Sequence, residues 1–268
     1  MFGPVQYHLP PVIVLLPLMR WFFEISYRGT AYNGWQSQTN GIGVQHVVEE
    51  ALSKILRQPI AIVGSGRTDT GVHCRQQFFH VDIAGTIRPE DLLHQVNSFL
   101  PRDIAIRSIR AVKDDANARY DARSRSYIYI ITLKKDPLLH GLALHWFKPL
   151  DLVKMEKASR FLIGEKDFTS FSKVKTDVHH FRCDIQEARW KKSGDRLEFS
   201  ITANRFLRGM VRAVVGTLLD VGTGKITVDE FRQVIESRDR RRAGMNVPPE
   251  GLYLTKVRYR PGIFRRNQ

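Results

Sequence analysis

The sequence predicts an α+β protein built as two halves, each with strands and helices in mixed order. Apolar residues alternate with a period of two in several separate stretches. Elsewhere they recur at helical spacing. Turn residues between neighbouring strands mark hairpins, so antiparallel or mixed sheets with helices packed on one face are expected. The chain has 268 residues, 43% of them apolar. That is enough for one large domain or two modest ones with a real core.

The elements follow in order. Trp21, Phe23, Ile25 and Tyr27 alternate with Phe22, Glu24 and Ser26, the pattern of a half-buried strand, and Arg28-Gly29-Thr30 ends it. A loop rich in Gly, Asn and Gln runs to Gly43. Val44, Val47, Val48, Ala51, Leu52, Ile55 and Leu56 then define a helix, with Glu49, Glu50 and Lys54 outward. After a glycine-rich stretch, Phe79, Val81 and Ile83 mark a second strand. Leu92, Leu93, Val96 and Leu100 mark a helix closed by Pro101. Strands are expected at Ile104–Val112 and Ser124–Leu133. Pro137 and Pro149 interrupt the pattern and place a boundary near Leu138–Asp151, giving an N-terminal domain 19–137 and a C-terminal domain 138–268. In the second half, Asp151 opens an amphipathic helix that stops at Gly164. Strands Cys183–Lys191 and Leu197–Ala203 flank the turn signal Ser193-Gly194-Asp195. A long helix is expected over Phe206–Val221, a further one behind the capping-box spacing Thr227-Val228-Asp229-Glu230, and a last strand at Leu252–Tyr259.

Lys and Arg number 42 against 27 Asp and Glu, a formal net charge of +15. Such a surplus attracts polyanions, with nucleic acid the leading partner class. The two cysteines, Cys74 and Cys183, form no Cys-x-x-Cys arrangement, which argues against a zinc site or a disulfide framework and for a reducing cytoplasm. No apolar run reaches the length of a membrane span. Residues 1–18 lack the basic start and cleavage site of a signal peptide and precede the first periodic residue, Arg20. They read as an upstream extension with no role in the fold.

Three stretches carry candidate chemistry. The first is Gly64-Ser65-Gly66-Arg67-Thr68-Asp69-Thr70-Gly71-Val72-His73, which matches neither nucleotide-binding fingerprint, so no cofactor is expected. Its glycines permit a tight path and close approach of a ligand. In an extended backbone Arg67 and Asp69 fall on the same side. The competing reading is a surface turn in which Asp69 bonds its own backbone. The second stretch, Asn204-Arg205-Phe206-Leu207-Arg208-Gly209-Met210-Val211-Arg212, puts Arg205, Arg208 and Arg212 on one face if it is helical, either a solvated basic face or cations partly buried against an acid. The third, Arg123-Ser124-Arg125-Ser126-Tyr127-Ile128-Tyr129, sets Tyr127 and Tyr129 on one strand face beside arginines. That arrangement suits base stacking, although tyrosine is also a common strand residue.

Taken together these stretches resemble the tRNA pseudouridine synthase A (TruA) family. The resemblance runs from Arg20 to Tyr259 and adds Tyr27 to Gln36, Thr39 to Gln45, Asn97 with Leu100-Pro101, and Ala118-Arg119-Tyr120-Asp121-Ala122. It continues through Asp167 to Phe171, Val215-Gly216-Thr217 and Gly251-Leu252-Tyr253-Leu254. It implies two α/β halves whose sheets meet at a central cleft, with a second subunit completing the RNA surface in a homodimer. It also implies isomerisation of uridine to pseudouridine in the tRNA anticodon stem-loop, at positions 38, 39 and 40. By the same resemblance Asp69 is the essential carboxylate and Tyr127 contacts the uracil. Arg67 matches the family's arginine before the aspartate and Arg212 its arginine after Met-Val. Because Asp69 must be ionised, a nearby cation would favour and orient its charge; Arg212 is the first choice for that ion pair, and Arg67 is better suited to hold phosphates. Ser65 and Asn246-Val247-Pro248 depart from the usual pattern, the second at the rim of the cleft. A non-catalytic RNA-binding module would leave a carboxylate among cations without a purpose. A metal-dependent nuclease would need clustered acids, whereas Asp69 is the only one between Glu50 and Asp82.

Overall fold

A computed structural model describes residues 18–36, 41–173 and 179–265. The expected extension lies, apart from Leu18, outside the described residues. Ten strands form one mixed, mainly antiparallel sheet: β1 (Leu18–Tyr27), β2 (Val63–Gly64), β3 (His73–Ala84), β4 (Ile104–Ala111), β5 (Ala122–Thr132), β6 (Leu144–His145), β7 (Gly164–Asp167), β8 (Arg182–Ser193), β9 (Arg196–Ala203) and β10 (Leu252–Tyr259). Their main order is β4-β1-β3-β10-β5-β9-β8-β7, with β2 on β3 and β6 on β5. β10, the last strand among the described residues, lies at the centre. It runs parallel to β3, with Leu254 opposite Cys74, and antiparallel to β5, with Leu254 opposite Tyr127.

Among the described residues five α-helices complete the α+β fold: α1 (Val44–Leu56), α2 (Pro89–Phe99), α3 (Leu152–Arg160), α4 (Met210–Gly222) and α5 (Val228–Ser237). In α1 the buried face is Val44, Val48, Ala51 and Leu52, the expected stripe. α2 has Pro89 in its first turn with Glu90 and Asp91, both favourable at the positive end of a helix dipole. Asp151 caps α3 by accepting from the Lys154 amide at 3.0 Å. The capping box of α5 forms in both directions, Glu230 N to Thr227 Oγ1 at 3.1 Å and Thr227 N to Glu230 Oε2 at 2.7 Å. The β8–β9 hairpin closes on Ser193 opposite Arg196, around Gly194-Asp195.

One core joins α1 and α2 to β1, β3 and β4, and a second joins α3, α4 and α5 to β5, β8 and β9; Tyr127 packs against both. In α4, eleven of thirteen residues are buried, which makes it the central helix of the second core. Its two exceptions are Arg212 and Asp220.

The expected helix Phe206–Val221 is corrected here. α4 begins at Met210, because Gly209 adopts a left-handed conformation (φ +74°) that cannot continue a helix. Arg205 and Arg208 therefore lie on the loop before α4 and do not share a helical face with Arg212. The apolar pair Phe206 and Leu207 imitated an earlier helical turn. They pack against the second core from that loop instead.

Candidate active site

The site is assembled where the loop 64–72 meets β5 and the start of α4. The loop is braced from below. Thr68 is buried and its Oγ1 lies 2.8 Å from the Tyr27 hydroxyl, which also donates to Gln77 Oε1 at 3.2 Å; Gln77 Nε2 in turn donates to the Gly66 carbonyl at 3.0 Å. Ser65 N donates to the Phe78 carbonyl at 2.7 Å. From the side, Trp35 N donates to Thr68 O at 3.2 Å and Gly71 N to Tyr32 O at 3.3 Å. Gly34 makes this approach possible. Its φ is +84°, and a Cβ there would stand 2.3 Å from the Thr68 carbonyl. Buried Thr68 separates exposed Arg67 from part-exposed Asp69, so these two flank an inward-facing residue.

Asp69 faces α4. Arg212 Nη1 is 3.8 Å from Asp69 Oδ2, with the two side chains 20% and 30% exposed. The guanidinium is aimed by a second bond, Nε to the Val247 carbonyl at 2.7 Å, while the Val247 amide donates back to the Arg212 carbonyl at 3.2 Å. The unusual Asn246-Val247-Pro248 segment therefore holds the cation. Tyr127 closes the group from β5, its ring edge-on to Phe206 at 5.1 Å. Burial raises the Tyr127 phenol well above its ordinary pKa, and the nearby Cys74 and Asp69 add to this, against Arg125. The hydroxyl therefore stays protonated at neutral pH.

Three of the four expected residues, Asp69, Arg212 and Tyr127, thus come together. Arg67 does not join them: it is exposed and has no hydrogen-bond or ion-pair partner among the described residues. Tyr129, on the same strand face as Tyr127, is fully buried in the second core. Its hydroxyl donates to the Pro248 carbonyl at 2.8 Å, so it is not a stacking surface.

Sequence reasoning also missed Arg125, which reads as one more surface cation. Its Nη1 donates to the carbonyls of Ala122 (2.8 Å) and Asn204 (3.0 Å), and its Nη2 to those of Ser65 (2.8 Å) and Arg119 (2.7 Å). Burial lowers its pKa. Four carbonyls from three chain segments hold it, so it staples the Asp69 loop to β5 and to the approach to α4. Only alternation with Tyr127 on β5 hinted at this placement.

A carboxylate paired with an arginine, beside a protonated tyrosine that senses its charge, is a constellation suited to acid–base or nucleophilic chemistry. A sequence model described as tRNA pseudouridine synthase matches residues 25–121 and 158–260, one stretch in each half. The tRNA pseudouridine synthase A of Porphyromonas gingivalis is 48% identical over 92% of this chain and all of its own length. Those of Parabacteroides distasonis and Bacteroides thetaiotaomicron are 46% and 44% identical, each over 92% of this chain and over 98% and 93% of their own lengths. The chain belongs to the tRNA pseudouridine synthase family and is an isomerase. No helix among the described residues is long and apolar enough to cross a membrane.

Proposed function

We propose that this enzyme isomerises uridine to pseudouridine in the anticodon stem-loop of tRNA, at positions 38, 39 and 40, with Asp69 as its essential carboxylate. The observation that carries the reading is the Asp69–Arg212 pair at 3.8 Å, with the Tyr127 phenol close enough to sense the Asp69 charge. The reaction breaks the N1–C1′ bond and forms C5–C1′. The hydrogen at C5 leaves as a proton and N1 gains one, so the substrate's atoms are conserved. Asp69 acts as nucleophile toward the sugar or the ring, or as a base on the sugar, and each role requires an ionised carboxylate. Arg212 favours that charged form and orients it.

A uridine inside a stem is beyond reach, so the nucleotide must leave its stack. Arg67, exposed and free of partners among the described residues, takes a phosphate or holds the extruded strand. Tyr127 covers the uracil, with its hydroxyl near C5. The enzyme acts as a homodimer whose second subunit completes the RNA surface, and it works in the cytoplasm, where its substrate is. N-terminal and C-terminal domains divide the chain at residue 137. Asp69→Asn keeps the side chain's shape and removes its charge. It should abolish tritium release from a tRNA transcript carrying C5-tritiated uridine while tRNA affinity stays within a few-fold. Appreciable turnover by the purified variant would sink the assignment.

A further inference from the structure

We infer that a second RNA-contact site lies beside the catalytic cleft, a stacking pocket for one unpaired nucleotide built on Tyr120. The pocket is an open hollow of about 320 Å³ lined by Tyr120, Asp121, Ala122, Arg123, Asn204 and Arg260. That volume falls at the lower end of small-ligand sites, roughly 300–1,000 Å³. Tyr120 is 78% exposed, yet its backbone is fixed. Asn117 Oδ1 accepts from the Arg119 amide at 2.9 Å and from the Tyr120 amide at 3.1 Å, and Asp121 Oδ2 accepts from the Asn117 amide at 2.7 Å. The ring is thus presented to solvent by a rigid turn. The Arg119 guanidinium lies 5.7 Å from the ring centroid, on one side of it. Arg123 and Arg260 are exposed and without partners among the described residues.

An aromatic face beside free guanidiniums is the combination that binds a nucleobase and its phosphate: the ring stacks the base and the arginines take the charge. Asn204 adds a side-chain amide whose oxygen accepts from the Asp184 amide at 3.0 Å, leaving its NH2 to donate along a base edge. The pocket is coupled to the chemistry through Arg125. The same guanidinium that bonds the pocket-wall carbonyls of Ala122 and Asn204 also bonds Ser65, on the Asp69 loop. The ligand is a looped-out nucleotide of the substrate tRNA, near the uridine that enters the Asp69 cleft. This inference rests on the tRNA reading above.

The test uses full-length enzyme and a tRNA transcript with C5-tritiated uridine. Tyr120→Ala should raise KM and the dissociation constant by about 5- to 150-fold, the range for losing one stacked base. The loss should fall on KM far more than on kcat, and Tyr120→Phe should restore most of it. Arg123→Gln with Arg260→Gln should flatten the salt dependence of binding, the logarithmic slope falling by about 0.7 for each phosphate no longer neutralised. A transcript carrying 5-iodouridine at non-target loop positions should photo-crosslink to Tyr120 from one position. Unchanged KM and affinity in Tyr120→Ala, with wild-type turnover intact, would overturn the pocket alone. Failure of the wild type to release tritium from any tRNA would overturn the tRNA reading and this inference with it. Because filter binding and crosslinking need no turnover, the two failures are distinguishable.

Discussion

Replacing Arg212 with alanine removes the cation that faces Asp69 and, with it, the bond to the Val247 carbonyl. At 3.8 Å, two unit charges attract by about 1 kcal/mol in bulk water and about 4 kcal/mol at an effective dielectric constant of about 20. With side chains 20% and 30% exposed, the pair lies between a solvated bridge, about 0–1 kcal/mol, and a buried one whose breakage costs about 3–5. A loss of about 2–3 kcal/mol of transition-state stabilisation follows, or about 30- to 150-fold in kcat/KM. Arg208, exposed on the turn before α4, has no such role, and Arg208→Ala should cost less than about 5-fold. Arg212→Ala also strands the carbonyl of buried Val247, so its melting temperature should drop by about 2–4 °C for each kcal/mol lost. Tritium release under single-turnover conditions and thermal melting of the two variants decide the matter. Equal effects of the two substitutions on turnover and melting would refute the placement of Arg212 against Asp69.

Tyr127→Phe keeps the ring and should leave tRNA affinity near normal, while turnover falls by roughly two to four powers of ten if the hydroxyl assists proton removal at C5; wild-type single-turnover rates would leave Tyr127 a stacking role only. Gly34→Ala forces a side chain into a left-handed backbone and against the Thr68 carbonyl. It should destabilise the fold by about 2 kcal/mol or more, and turnover should fall with it; unchanged denaturant unfolding would contradict the bracing of the Asp69 loop by Gly34. Burial holds the imidazoles of His73 and His80 below their ordinary pKa of 6.5, Arg28 and Arg20 respectively adding to this. The unfolded chain then binds protons first as pH falls, so stability drops from about pH 7 toward pH 5. His80→Gln should shallow that slope in melting experiments, and an unaltered slope would show that other groups set it.

Much of the fold was legible because its elements are locally amphipathic. The period of β1 and the stripe of α1 each follow from side chains competing for one buried face. The start of α4 was misread because Phe206 and Leu207 have the right hydrophobicity in helical register, and only the conformation of Gly209 excludes them. The candidate carboxylate was readable as an isolated acid in a glycine-rich, basic stretch, with the family resemblance giving it a role. What supports it was not readable. Arg125 looks like any surface arginine until the distant carbonyls of Ser65 and Asn204 join two nearby ones around it, and Val247 gives no sign that its carbonyl aims Arg212. Such bonds join residues far apart in the chain, and no local period encodes them. The central position of β10 is hidden for the same reason.

That position sets an order of events during synthesis. β3 and β5 are not direct neighbours; β10 alone lies between them in the sheet, with Leu254 facing Cys74 on one side and Tyr127 on the other. A nascent chain that lacks β10 therefore has no strand to join β3 to β5, with the Asp69 loop beside the first and Tyr127 on the second. Closing the gap requires pairings across about half the chain and more, a slow step for a β topology. The sheet that carries the site is joined only once β10 has been made and released to pair, so chains not yet extended through it carry the motif without the enzyme.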